Sequence, residues 1–340
     1  MHHYHIIVIR LCPEGMVRMQ LEPAIRNDLI ELIAANFKTD EVNELGRLIL
    51  GCFDSNAVAG TRDHISLSAR KSAGLLIDEC ERAKHIEGLL KLVVEVDDGM
   101  IHGRSVRVRG LEEFLGKLIR TGIHYDFKTR RIVTDCRDPQ DLPNWGCLKD
   151  GREYDISIIS IDIVGNSKKV RALGTRRAEK LYFTLWSFLK EKLATVDGRI
   201  WSWAGDGGLI AFALRDHQAR AVRFAIEVQS TVPVFNLCAS GSPSADVALR
   251  MGVHSGMVKF AIDTGTIVSD VINYAAHLEK GATQPGTISV SREVYDALPQ
   301  RMAGLFRFGG LFEDRDCFHT LRRLDGLLCE DPADTEERFA

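Results

Sequence analysis

Residues 158–167, Ile158-Ile159-Ser160-Ile161-Asp162-Ile163-Val164-Gly165-Asn166-Ser167, are an apolar run that ends in one carboxylate, followed by a glycine and the start of a helical pattern. A short continuous apolar run reads as a buried strand, and an ionised carboxylate at its end is costly unless something positive meets it. A second such place follows at residues 199–212. There the strand Arg199-Ile200-Trp201-Ser202-Trp203 leads through Ala204-Gly205-Asp206-Gly207-Gly208 into Leu209-Ile210-Ala211-Phe212, the pattern of a β-hairpin with Asp206 at its tip. Two carboxylates at the ends of neighbouring buried strands suit a hard divalent cation, Mg²⁺ or Mn²⁺, shared with the phosphates of a substrate.

The rest of the chain is organised around this pair. At 340 residues it is too long for one typical domain. With 45% hydrophobic and 27% charged residues the composition is that of a soluble globular protein, and a net charge of −3 gives no general basic surface, which disfavours nucleic acid as a partner. No apolar run approaches the roughly 18 residues of a membrane span, and the start lacks the order of a signal peptide. Eight cysteines lie far apart without a Cys-x-x-Cys pair, which fits a reduced cytoplasm.

Five segments are expected. Residues 1–18 are an N-terminal extension, in which His2, His3 and His5 precede Ile6-Ile7-Val8-Ile9; this reads as a short strand or as a start placed too early, with Met19 the alternative. Residues 19–96 are helical, with Leu29, Leu32, Ile33 and Phe37 on one face, a cap at Thr39-Asp40, and a later cap at Ser66 or Ser68. Residues 97–150 read as a linker carrying a short strand at Val106-Arg107-Val108, a helix over 111–119 and a hairpin over 125–133 around Lys128-Thr129. Residues 151–325 form the main domain and 326–340 a tail. In the main domain the spacing of Leu181, Leu185, Phe188 and Leu189 predicts one helix over 168–193, and Ala221, Val222, Ala225, Ile226 and Val228 mark a second. A strand over 247–253 and a helix around Asn273 follow. The order βαββα with more strands behind it predicts an antiparallel sheet covered by helices on one face, with both aspartates on adjacent central strands at one edge.

At these residues the chain resembles the class III nucleotidyl cyclases. Ser160-Ile161-Asp162-Ile163-Val164-Gly165 is similar to the family's Phe-x-Asp-Ile-x-Gly, and Ala204-Gly205-Asp206-Gly207 to its Gly-Asp hairpin. Leu249-Arg250-Met251-Gly252-Val253-His254-Ser255-Gly256 resembles its Arg-Ile-Gly-Ile-His-x-Gly strand. Asp270-Val271-Ile272-Asn273-Tyr274-Ala275-Ala276-His277-Leu278-Glu279 resembles its Val-Asn-x-Ala-x-Arg-Leu helix, and Ile288-Ser289-Val290-Ser291 with Val294-Tyr295 closes the order. The resemblance implies an α+β fold, a ferredoxin-like βαββαβ cyclase domain preceded by a small all-α bundle. It implies a lyase that makes a 3′,5′-cyclic nucleotide and pyrophosphate from a nucleoside triphosphate. Two Mg²⁺ or Mn²⁺ ions per site would be held by Asp162, Asp206 and the backbone carbonyl of Ile163, with phosphate received at Gly165, Asn166 and Ser167. Asn273 would orient the ribose. His277 stands where the family has an Arg for the α-phosphate, so the forked permanent charge is replaced by an imidazole. Arg307 and Arg315 lie near the family's Lys for the terminal phosphates, and His254 reads as a sheet-packing residue. The family's site forms between two catalytic domains, so a homodimer is implied, Asp162 and Asp206 coming from one chain and Asn273 and His277 from the other.

The family selects purines with residues at the positions of Ser202 and Thr266, a Lys with an Asp for adenine or a Glu with a small residue for guanine; neither pair is present. Trp201 and Trp203 flank Ser202, and strand alternation puts both on the face opposite it, so either fills a base pocket only through a bulge or from the sheet's other side. Ser202, Trp203 and Thr266 are therefore the candidate base-pocket residues. Residues 19–96 loosely resemble a death-like effector-associated domain, which implies a protein partner. Together these features make the chain look like the pyrimidine cyclases of bacterial anti-phage defence, acting on UTP or CTP to give cUMP or cCMP. An adenylate or guanylate cyclase, or a degenerate domain that only senses nucleotide, are the alternatives.

Overall fold

A computed structural model of the chain describes residues 19–61, 67–101, 104–134, 138–239, 246–321 and 323–324. The expectations for 1–18, for a cap at Ser66 and for the tail 326–340 lie outside the described residues. The chain divides into two compact units, 1–139 with 144–148, and 140–143 with 149–340.

The first unit starts with helices α1 (Pro23–Asn36), α2 (Thr39–Leu50), α3 (Ser55–Ala59), α4 (Ala69–Arg82) and α5 (Ile86–Glu95). Their starts are set by local chemistry. Pro23 stands at the head of α1, the Glu41 carboxylate accepts from the Lys38 N–H, Asp54 accepts from Asn56 and Ala57, and Ser68 accepts from Lys71. Leu29, Ile33, Leu45, Leu76, Ile77, Leu89 and Leu90 are buried where the apolar stripes meet. Residues 97–134 belong to the same unit. They contribute the ladder of β1 (Met100–Ile101) with β2 (Arg104–Ser105), helix α6 (Leu111–Leu118), and the hairpin of β3 (Ile123–Asp126) with β4 (Arg131–Thr134). The strand expected at Val106-Arg107-Val108 is instead irregular extended chain. The Val108 N–H is taken by the Asp97 carboxylate at 2.8 Å and not by a neighbouring strand.

The second unit is built on a seven-stranded sheet. Its elements are β5 (Glu153–Ile163), α7 (Asn166–Leu173), α8 (Thr175–Val196), β6 (Arg199–Ala204), β7 (Gly207–Ala213), α9 (His217–Ala239), β8 (Leu249–Lys259), α10 (Asp270–Ala282), β9 (Ile288–Ser291), α11 (Arg292–Asp296), α12 (Gln300–Ala303), β10 (Phe306–Phe312) and β11 (Arg315–Thr320). The strand order is β10-β11-β9-β8-β5-β7-β6, and β5 pairs antiparallel with both β7 and β8. The βαββαβ core β8-β5-β7-β6 is the ferredoxin-like arrangement. The single helix expected over 168–193 is two, because Gly174 at φ 75° and ψ 152° leaves the helical region between α7 and α8.

Alternation along the strands separates two faces. Ile159, Ile161, Ile163, Ile210, Phe212, Leu249, Met251 and Val253 pack against Leu181, Leu185 and Leu189 of α8 and Phe224, Ala225 and Val228 of α9. The opposite face is covered as well, by α10, which corrects the expectation of helices on one face only. The physical reason lies in the pairing of β8 with β9, which is parallel and so needs a crossover helix between them. Gly252 admits that helix, since a Cβ there would come within 2.5 Å of the Ala275 carbonyl and the Glu279 nitrogen. Among the described cysteines, Cys52, Cys80, Cys238 and Cys317 form no disulfide, and no described helix is long and apolar enough to cross a membrane.

Gly252→Val is expected to destabilise the second unit by about 2–3 kcal/mol, since it overpacks backbone rather than a flexible side chain. A urea midpoint unchanged from the parent chain would show that α10 is not seated on β8.

Candidate active site

Asp162 is delivered by strand geometry. Ile161 and Ile163 enter the helix-covered core, so Asp162 turns to the α10 face, opposite Gly207 on β7 and Arg250 on β8. A Cβ at Gly207 would lie 2.6 Å from the Ile161 carbonyl and 3.4 Å from Asp162 Oδ1, so only glycine lets the hairpin approach this closely. Gly205 and Asp206 form the two-residue turn between paired Ala204 and Gly207, with Gly205 in the left-handed region at φ 64°. The Asp206 carbonyl accepts the Ile163 N–H at 3.1 Å, which ties the turn to the end of β5. Asp206 and Asp162 therefore stand on adjoining strand ends.

Sequence reasoning missed the cation that meets Asp162. Arg250 Nη2 lies 2.7 Å from Asp162 Oδ2, and Arg250 Nε lies 3.0 Å from Glu279 Oε1. The second approach is an ion pair without an aligned hydrogen bond, so buried Arg250 Nε and Glu279 Oε1 each keep unused hydrogen-bonding capacity. Burial pushes the Glu279 carboxyl up to about 7, and the charges of Asp162 and Asp206 add to this against the opposing pull of Arg250. Arg250 stands inside the motif quoted above, and the missing signal was the register that sets it beside Asp162.

The turn after β5 has Gly165 at φ 72°, and α7 starts at Asn166 with Lys168 and Lys169 and no acid in its first turn. Tyr182 donates its hydroxyl to Asn166 Oδ1, and burial and the charge of Asp206 raise its pKa. Ser167 is exposed and Ile163 buried. Among the described residues no group of three or more His, Cys, Asp or Glu stands close enough to hold a metal alone. The donors fit a hard cation all the same, because Mg²⁺ is commonly bound through one or two carboxylates with phosphates completing its shell.

Asn273 and His277 lie elsewhere. Ser269 caps α10 by accepting from Val271, and the helix buries Val271, Tyr274, Ala275, Leu278 and Glu279. Asn273 and His277 fall on its exposed side, away from the Arg250 network that Glu279 joins. One chain does not bring them to Asp162 and Asp206. Arg307 is exposed on edge strand β10, with β11, β9 and β8 between it and β5. Arg315 lies over the Tyr274 ring at 4.8 Å and reaches His254 Nε2 at 3.4 Å. His254 is buried, bonded through Nδ1 to Ser291 Oγ at 2.8 Å and in contact with the Tyr274 ring, the packing role read from sequence.

The base-pocket candidates are separated by a bulge. Pairing shifts from Ile200–Ile210 to Ser202–Leu209, so Trp201 is the extra residue in β6. This corrects the expectation that both tryptophans share a face. Trp203 packs with Ile200 into the helix-covered core, whereas Trp201 donates Nε1–H to the Pro143 carbonyl and meets the Phe260 ring. Ser202 stays half-buried opposite Leu209, clear of Trp203. Thr264 donates to the Trp201 carbonyl at 2.7 Å, which brings the turn containing exposed Thr266 against β6.

The sequence matches no protein-family model and no curated protein. Among solved structures, the guanylate cyclase domain of RhGC from Catenaria anguillulae in complex with GTP is similar at 19% identity, covering 51% of this chain and 99% of that one, with a TM-score of 0.42. The guanylyl cyclase Cya2 is similar at 20% identity, 50% and 93% coverage and a TM-score of 0.43. The adenylyl cyclase CyaB from P. aeruginosa is similar at 19% identity, 50% and 95% coverage and a TM-score of 0.42.

Two buried groups give opposite pH dependences. Burial lowers His254 to about 4, so below its usual value near 6.5 the unfolded chain takes up a proton that the folded chain refuses. That contribution is present above pH 6.5 and lost as pH falls towards about 4, up to roughly 3 kcal/mol. Glu279 is raised to about 7, so its contribution is present below pH 4.5 and lost as pH rises through about 7. In metal-free protein, His254→Gln should flatten the acid limb of stability against pH, and Glu279→Gln should remove the decline between pH 4.5 and 7. Denaturation curves at each pH read both; parallel curves for variant and parent would defeat the assignment.

Proposed function

We propose that the second unit is a nucleotidyl cyclase that converts a pyrimidine nucleoside triphosphate, UTP ahead of CTP, into its 3′,5′-cyclic monophosphate and pyrophosphate. The observation that carries this reading is the pair of carboxylates, Asp162 and Asp206, on adjoining strand ends beside a guanidinium with an unmade hydrogen bond. The motifs that follow in cyclase order support it.

Asp162, Asp206 and the Ile163 carbonyl are the residues to hold two Mg²⁺ or Mn²⁺ ions. When bound, these supply a lowered pKa at the 3′-hydroxyl and neutralise charge on the triphosphate. The chain's own groups do the rest by position and charge. Arg250 holds Asp162 in place and offsets part of the site's negative charge, and the N–H groups of the turn at 165–167, with the positive end of α7, receive phosphate oxygens. Asn273 orients the ribose and His277 faces the α-phosphate. The 3′-oxygen loses its proton to water and bonds to the α-phosphorus as the bond to the bridging oxygen breaks, and pyrophosphate leaves with that electron pair.

Because α10 turns Glu279 inward and Asn273 and His277 outward, the site is completed by a second copy of the chain. The base meets Ser202 and Thr266, whose hydroxyls serve the mixed donor and acceptor edge of uracil and offer neither purine-selecting pair. Trp203 acts by fixing the hairpin in the core. The helical first unit serves as an adaptor for a protein partner, and cUMP or cCMP is the cytoplasmic messenger of an anti-phage response. One residue favours a second reading: His277 in place of Arg fits a domain that senses nucleotide without turnover.

Incubation with equal ATP, GTP, CTP and UTP and Mn²⁺, read by mass spectrometry, should give cUMP or cCMP as the main product. Mainly cAMP or cGMP would make the chain a purine cyclase, and nucleotide-dependent melting with no product would favour the sensor. Asp162→Ala and Asp206→Ala should each abolish turnover without unfolding. Mixing Asp162→Ala chains with Asn273→Ala chains should restore roughly a quarter of the parent activity, since half the dimers are mixed and each of those keeps one intact site. Two inactive variants that stay inactive when mixed would rule out a shared site.

A further inference from the structure

The hairpin between β10 and β11 comes over α10 and sets a carboxylate on its outer side. Glu313 Oε1 lies 2.8 Å from His277 Nδ1. The two side chains are 58% and 48% exposed for His277 and Glu313, and an ion pair that open to water contributes about 1 kcal/mol of stability or less. Stability does not explain why the hairpin is built this way. Glu313 and Asp314 form its turn at φ 49° and 59°, left-handed values that favour glycine or asparagine. The hairpin is seated on α10 at several points. The Phe312 carbonyl accepts from the Tyr274 hydroxyl at 3.3 Å, the Phe312 ring lies 6.1 Å from the Tyr274 ring, and a Cβ at Gly281 would come within 2.8 Å of it. Arg315 covers the Tyr274 ring from the same hairpin. Glu313 is thus held over His277 by packing.

Resting on the cyclase reading, we propose that Glu313 is a positioning residue for His277, and that the two form a dyad that takes the place of an arginine. A carboxylate only accepts, so Nδ1 carries the proton in this contact. The tautomer is then fixed, and Nε2 is the one ring nitrogen left to address a substrate. With Glu313 on one side and an anionic α-phosphate oxygen on the other, the ring holds protons on both nitrogens and donates both. The charges alternate, and the carboxylate stabilises the imidazolium that the phosphate requires. The other charged groups around the ring are Lys280, one turn along α10, and Asp314, next in the turn. Asp270 lies two turns back, and Arg315 is directed to Tyr274 and His254. Unlike an arginine, this device is present only while the imidazole holds its second proton, so pH gates it.

The test uses the intact chain with Mn²⁺ and whichever nucleoside triphosphate it cyclises. Glu313→Gln keeps an oxygen acceptor but loses the charge. It should lower kcat about tenfold, leave KM within about twofold, and move the alkaline limb of the pH profile down, since the carboxylate charge that favours the imidazolium is gone. Glu313→Asp should keep the limb in place. His277→Arg should flatten the limb, and Glu313→Gln on that background should not move it. Nitrogen-15 spectra of the His277 ring, which do not depend on turnover, should show the proton on Nδ1 at alkaline pH. A turning-over enzyme in which Glu313→Gln leaves kcat and the limb unchanged, or a ring protonated on Nε2, overturns the dyad alone. No cyclic product from the parent chain overturns the cyclase reading, and the dyad with it.

Discussion

The second unit depends on β5 being paired on both edges. That pairing sets Asp162 between Gly207, which lets the hairpin close in, and Arg250, which supplies the opposite charge. Around the end of this strand stand three carboxyl groups, Asp162, Asp206 and Glu279, against one guanidinium. If all were ionised the cluster would carry an excess negative charge in a half-dry place, where such an excess is far more costly than in water. The raised Glu279 carboxyl is the structure's own relief: a proton on the most buried group removes one negative charge. A divalent cation would relieve the same excess, which is the physical sense in which this cluster suits one.

The two faces of the sheet do different work. The face under α8 and α9 is mostly apolar, with directed hydrogen bonds where Ser157 meets His217 and Ser255 and where Gln229 donates to the Leu249 and Thr287 carbonyls. The face under α10 carries directed hydrogen bonds, His254 with Ser291, Ser289 with His319 and Thr283 with Ser289, each between 2.7 and 2.8 Å. Apolar packing tolerates small rotations of a helix, whereas a chain of buried hydrogen bonds does not. Thr283 at the end of α10, Tyr274 against the His254 ring and Glu279 beside Arg250 tie the helix to this face, and so fix which side looks outward and where Asn273 and His277 appear.

Much of this was legible in the sequence because it rests on local pattern. Apolar runs ending in Asp162 and the glycines around Asp206 specify two strand ends from neighbouring residues alone. The stripes of α8 and α9 are equally local. What stayed hidden depends on residues distant in sequence. The Asp162–Arg250 pair follows from a strand register spanning 88 residues, and Glu279 joins it only because Gly252 lets α10 down onto β8. The bulge at Trp201 has no signature in its own segment. It is anchored by bonds to Pro143 and Thr264, and it sends the two tryptophans to opposite faces against simple alternation. Glu313 was invisible for the same reason, since it meets His277 through a hairpin that starts thirty residues further on.

The division of α10 bears directly on how such a site can be completed. To bring His277 and Asn273 to the Asp162 cluster within one chain, α10 would have to rotate by about half a turn, since residues 277 and 279 lie roughly 200° apart on a helix. That rotation would expose Tyr274 and Leu278, at about 2 kcal/mol each, and carry an imidazole and an amide into the place of groups that fit the sheet. It would also break the Glu279 contact with Arg250 and leave that guanidinium with Asp162 alone. Seating a second chain against the outer side of α10 needs none of this. The cost of rearranging one chain, set against the outward display of Asn273 and His277, supports assigning the proposed chemistry to a pair of chains.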